Sequence, residues 1–163
     1  MFSPSGDCKQ LIWAKCQGEK TVRRTPTVRV WIMFKTKCVY TEIEPRKDGL
    51  RILATRGRGR GLSMDRFDVW MANLGPSERL REEFQTGKIT WPEFSRRYRR
   101  ELWEGGTIDL RNKRIKNHGQ KFTLQLLQHL AKDQTVTLLC HCAEDESHCH
   151  RHLLKALLEQ KAL

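Results

Sequence analysis

Apolar residues along this chain fall into short blocks with two different periods. VRVWIMF (28–34) is β-branched and aromatic and predicts a strand. A second strand is expected over 38–43, closed by a turn in EPRKDG, and LRILAT (50–55) predicts a third. TVTLLC (135–140) reads as a buried strand. Elsewhere the spacing is helical. Ser63 is placed to cap a helix whose face is Phe67, Trp70, Met71 and Leu74, at i, i+3, i+4 and i+7, with Gly75-Pro76 as its stop. Ser77 caps a shorter helix with Leu80 and Phe84 inward. Residues 90–93, TWPE, have capping-box spacing, and Phe94, Tyr98 and Leu102 line the face that follows. A helix over 121–132 is expected to turn Phe122, Leu126, Leu127 and Leu130 inward. A last helix is expected over about 147–160, with Leu153, Ala156 and Leu157 on its inner side.

Strands followed by helices predict a small three-layer, Rossmann-like α/β domain with a mostly parallel sheet and flanking helices, over 27–163. Residues 1–26 carry no such period and predict a poorly structured N-terminal extension. No run approaches the ~20 apolar residues of a membrane span, and LIWA is too short for a signal-peptide core. A cytoplasmic protein without a membrane partner is expected, with its six cysteines reduced.

Charge narrows the choice of partner. A formal net charge of +12 on 163 residues favours a polyanion, either nucleic acid or a phosphorylated nucleotide. Two unusual segments sit where open α/β sheets bind ligands, beyond the carboxyl ends of strands. RGRGRG (56–61) follows the 50–55 strand. Arg56, Arg58 and Arg60 offer planar forks for phosphate, and the glycines let backbone approach it. The spacing is neither that of a P-loop nor that of a dinucleotide fingerprint.

CHCAEDESHCHR follows the 135–140 strand, and three chemistries fit it. Cys140, Cys142, Cys149 and a histidine such as His150 are zinc-type donors, although C-x-C-x6-C-H is not a common zinc spacing. Alternatively Cys149 or Cys140 is a nucleophile, with Glu144 as proton carrier and His150 as its partner. In the third reading the cysteines only pack as small hydrophobes. Arg151 is placed to reach an anion at the start of the last helix. In a third basic segment, RNKRIKNHGQK (111–121), Lys116, Asn117, His118 and Gln120 are candidates for contacts to a base or sugar.

DGLRILATRGRGRGLSMDRFDVWMANLGPSERLREEF, WPEFSRRYRREL and VTLLCHCAEDESHCHRHLL, in that order, resemble the domain-of-unknown-function 488 family across about 40–160. The resemblance implies a compact α/β domain and carries no assigned reaction. Its strongest motifs fall on Arg56, Arg60, Gly61, Trp70, Pro76, Ser77, Cys140, Glu144, Cys149, His150 and Arg151. RGRGRG departs from it, because many members have an aromatic residue and a proline before RG. The expected function is a nucleic-acid or nucleotide processing enzyme, hydrolytic at the base. The alternatives are a non-catalytic nucleic-acid-binding module and a structural zinc or redox module.

Overall fold

The computed structural model describes residues 33–105 and 119–160. The sheet is built on the strand read as buried. β4 (Val136–Cys140) has every residue buried, which requires a partner on each edge and cover on both faces. β1 (Phe34–Cys38) pairs along its whole length, Phe34 opposite Val136 and Cys38 opposite Cys140. β2 (Leu50–Leu53) pairs on the other edge. β3 (Val69–Trp70) continues outward from β2. The order is β1-β4-β2-β3, and every pairing is parallel. The protein is therefore an α/β domain with flanking helices, as the strand–helix alternation predicts.

Alternation along the strands gives the sheet two apolar faces. Ile52, Ala54, Val136 and Leu138 join the main core with residues of α2 (Glu78–Gln85), α3 (Trp91–Trp103), α4 (Lys121–Leu130) and α5 (His150–Leu158). Leu53, Leu139 and Val39 form a second cluster with Leu62 and Phe67, which lie in the segment between β2 and β3. The Arg/Gly run is thus anchored at its far end by two buried side chains.

Several local expectations hold. Ser77 caps α2, its Oγ accepting from the Leu80 amide at 3.2 Å. Phe94, Tyr98 and Leu102 are buried on α3. Tyr98 is 1% exposed, and its hydroxyl donates to the Leu74 carbonyl at 2.6 Å.

Other elements differ from the sequence reading, each for a tertiary reason. The helix expected from Ser63 to Leu74 is absent. Its place is taken by a 3-10 turn at Met64–Arg66, strand β3 and a second 3-10 turn at Ala72–Leu74. Pairing with β2 overrides the helical spacing, because the Asp68 amide donates to the Arg51 carbonyl and the Met71 amide to the Leu53 carbonyl. The strand expected over 38–43 does not form. β1 ends at Cys38, where β4 also ends, and the chain turns there. Of the 28–34 strand only the last two residues are described.

On α4 the inward face is Leu124 and Leu127, while Phe122 and Leu126 are 62% and 54% exposed. α5 begins at His150, not Ser147, and buries Leu154, Leu157 and Leu158, leaving Ala156 exposed. Thr90 makes no side-chain cap. Glu93 instead holds Arg96 and Arg97, since two guanidinium groups compete successfully for its carboxylate. Among the described residues no helix is long and apolar enough to cross a membrane.

Candidate functional site

β2 and β4 are adjacent and parallel, so the segments leaving their carboxyl ends rise side by side. They enclose a cleft of about 670 Å³. Thr55, Arg56, Gly57 and Gly59 wall one side, and Cys140, His141, Cys142 and Cys149 the other. Glu78, Arg81 and Phe84 of α2 close a third side, with Glu146 and His148 at the loop after β4. The two segments singled out in the sequence therefore share one cleft.

Their chemistry divides between them. Arg56 is exposed, and its Nε reaches the Pro76 carbonyl only at 3.4 Å. Arg58 and Arg60 do not line the cleft; Arg58 contacts the Met64 sulfur at 2.9 Å. Gly59 has φ +88°, and a Cβ there would lie 2.7 Å from His141 Cε1, so the Arg/Gly segment packs directly on the imidazole. His141 Nδ1 meets the Tyr40 hydroxyl at 3.2 Å, whereas its Nε2 is buried without a hydrogen-bond partner.

At the floor three thiols converge. Cys140 Sγ is 3.4 Å from Cys142 Sγ and 3.5 Å from Cys149 Sγ, and all are free. His150 Nδ1 lies 3.9 Å from both Cys140 and Cys149 sulfurs. Its other nitrogen, Nε2, is 2.7 Å from the Ala54 carbonyl. A carbonyl only accepts, so Nε2 carries the proton and Nδ1 presents its lone pair to the sulfurs in the neutral ring. Burial lowers the His150 pKa and so favours that neutral form. Hydrogen bonds from Cys140 and Cys149 lower the Cys142 pKa; those two thiols are shifted upward in return.

The remaining candidates are placed as follows. Glu144 turns away from the cleft. Its carboxylate accepts from the Cys38 amide and, at 3.0 Å, from the Thr41 hydroxyl, joining the loop to the end of β1. Arg151 is 0% exposed and donates to the carbonyls of Cys142, Ala143 and Glu144. It braces the cysteine loop from beneath and does not stand at the surface. Gln120 precedes α4, where its side chain accepts from Asn73 and Thr123. Lys116, Asn117 and His118 lie outside the described residues.

Sequence reasoning missed His141, Glu146, His148, Glu78 and Arg81 as cleft residues. The first three sit inside the motif that drew attention to the cysteines. The last two come from α2, and only the chain's return over the end of β2 brings them in.

These features define a parallel-sheet α/β domain with a carboxyl-end cleft built on an Arg/Gly segment and a Cys/His loop. A profile of the DUF488-N3a family, described as the active DUF488-N3 subclade, matches residues 34–162, and the chain belongs to that family. It is similar to the uncharacterized protein Rv3073c of Mycobacterium tuberculosis (strain ATCC 25618 / H37Rv) and to the uncharacterized protein Mb3100c of Mycobacterium bovis. Each is 33% identical over 72 residues, 43% of this chain and 60% of the relative. The match thus spans less than two thirds of those relatives. No solved structure matches the chain.

Proposed function

We propose that the protein is an enzyme that processes a phosphorylated nucleotide unit, free or within a nucleic acid, by hydrolysis at the base. One observation carries this reading. Neighbouring parallel strands deliver an arginine-bearing glycine segment and a Cys/His loop to the same cleft, the position at which such sheets bind ligands. Arg56 and Arg81 are the cations on the cleft wall and hold the phosphate. The volume suits a nucleotide-sized ligand. The net charge of +12 favours the approach of a polyanion.

His141 is the acid–base group of this reading. It lines the cleft, and its Nδ1 is oriented by the Tyr40 hydroxyl. Glu146 and His148 at the rim are second candidates. The roles first expected for Glu144, Cys149 and His150 shift accordingly. Glu144 becomes a strut, and Cys149 and His150 form the floor.

The test is binding of labelled single- and double-stranded DNA and RNA and of mononucleotides, titrated with salt, together with mass analysis of the incubated ligand. Wild type should bind one class with affinity that falls as salt rises. Arg56→Ala with Arg81→Ala should weaken it roughly a hundredfold or more, through the loss of two charge-assisted contacts worth about 1.5–3 kcal/mol each. His141→Ala should keep binding and lose the product. Absence of saturable binding, or wild-type affinity in the double variant, would overturn the assignment. Binding without any product points to a non-catalytic nucleic-acid module.

A further inference from the structure

We propose that Cys140, Cys142, Cys149 and His150 bind one zinc ion at the floor of the cleft, in a closed site with four protein donors. The site does not depend on what the cleft takes as substrate.

The argument rests on where the donor atoms point. Zinc held at about 2.3 Å from sulfur and about 2.0–2.1 Å from nitrogen implies tetrahedral edges of about 3.8 Å between sulfurs and about 3.6 Å between sulfur and nitrogen. The structure gives 3.4 and 3.5 Å for two sulfur pairs, and 3.9 Å for both recorded sulfur–Nδ1 pairs. The donor atoms of Cys140, Cys149 and His150 all lie within 4.8 Å of one another. Cys142 approaches from the cleft, half-buried, and supplies the outward ligand and the path of entry.

The imidazole is prepared for a metal in the way metal histidines are. Its distal N–H is held by the Ala54 carbonyl at 2.7 Å, which fixes the ring and turns the Nδ1 lone pair on the sulfurs. Arg151 holds the loop carbonyls of residues 142–144 and so sets the path of the chain between the second and third cysteines.

Ordinary packing does not account for this convergence. Buried cysteines act as small hydrophobes, and thiols are weak hydrogen-bond donors. Cys38 behaves that way, being buried and outside the cluster. Cys140 is the hub, its sulfur meeting those of Cys142 and Cys149, and the Cys140 and Cys149 sulfurs both face the His150 lone pair, which has no strong donor; a zinc ion held by that triad, with Cys142 as the fourth ligand, satisfies these groups at once. The ion would tie the end of β4 to the start of α5 and, through Ala54, to the end of β2. Those are the elements that carry both cleft loops.

The experiment uses the full chain, expressed with zinc in the medium and purified without chelator. Elemental analysis should give about one zinc per chain. After exchange with Co²⁺, the spectrum should show thiolate-to-metal charge transfer and the visible bands of tetrahedral cobalt. A Cys8→Ser, Cys16→Ser, Cys38→Ser variant should retain both signals. Cys142→Ser should lose metal to chelator sooner and show weaker charge transfer. Less than about a tenth of an equivalent of zinc with no cobalt spectrum would overturn the proposal. So would loss of metal in the triple variant, or an unchanged spectrum in Cys142→Ser. Zinc content of the wild type decides even where a cluster variant fails to fold. A protein that holds zinc but binds no nucleotide keeps this site and removes the function proposed above.

Discussion

Gly75→Ala tests whether the cleft is built as described, because Gly75 lies against the backbone that presents Arg56. A Cβ on Gly75 would fall 2.3 Å from the Arg56 amide nitrogen, 2.7 Å from the Thr55 carbonyl carbon and 2.9 Å from Thr55 Cα. Heavy atoms in contact prefer about 3.5–4.0 Å, so one chain must retreat by about 1 Å. Neither retreats easily. The Leu74 carbonyl is held by the buried Tyr98 hydroxyl, and the Ala54 amide by the Leu139 carbonyl. Overpacking of this kind costs about 1–3 kcal/mol. A mid-range cost of about 2 kcal/mol lowers Tm by roughly 4–8 °C for a chain of this size.

Gly57→Ala is the matched control. It directly follows Arg56, with nothing within 4 Å of its added Cβ. Its expected effect is neutral to slightly stabilising, up to about 1 kcal/mol, through the unfolded chain. Thermal melts followed by circular dichroism compare the two. A Gly75→Ala Tm within about 1 °C of wild type would refute the close approach. An equal fall in Gly57→Ala would refute the reasoning from contact geometry.

Two further outcomes are expected. Leu124→Ala, at a fully buried position of α4, should cost about 2–5 kcal/mol. Leu126→Ala, on the exposed face, should stay within about 0.5 kcal/mol. Urea midpoints decide this, and a reversed order would restore the face read from sequence. Glu93 is held by Arg96 first and Arg97 second, and its pKa is lowered from 4.5 to about 2. A depressed carboxylate stabilises above its unfolded pKa, and the contribution disappears as pH falls through the folded one. The stability gap between wild type and Glu93→Gln should be constant above about pH 5.5 and close between about pH 4.5 and pH 2. It should be small, because the pair is partly exposed. A gap that widens toward pH 2 would contradict the ion-pair account.

Local sequence by itself determined the elements whose own chemistry sufficed. TVTLLC carries no charge and is β-branched or aliphatic along most of its length, and it forms the buried central strand. Ser77 begins a helix because its hydroxyl reaches the amide three residues on. The 94/98/102 face of α3 is a period that only a helix satisfies. Charge and the Arg/Gly and Cys/His motifs marked the two loops, and the strands before them indicated which end of the sheet they occupy.

Tertiary structure decided what depends on neighbours. Phe67, Trp70, Met71 and Leu74 have helical spacing, but β2 offers an open edge, and backbone pairing there outweighs a weak local preference. α4 has apolar residues on more than one side, so the packing partners choose which side is buried. Glu144 and Arg151 belong to the same motif as the cysteines, yet their side chains bond to backbone, Glu144 to the end of β1 and Arg151 to the cysteine loop from beneath. No periodicity encodes that destination. The strand order β1-β4-β2-β3 places the arginine and cysteine loops side by side. It follows from which edges and faces of the strands bury one another in three dimensions, which the order of residues along the chain does not specify.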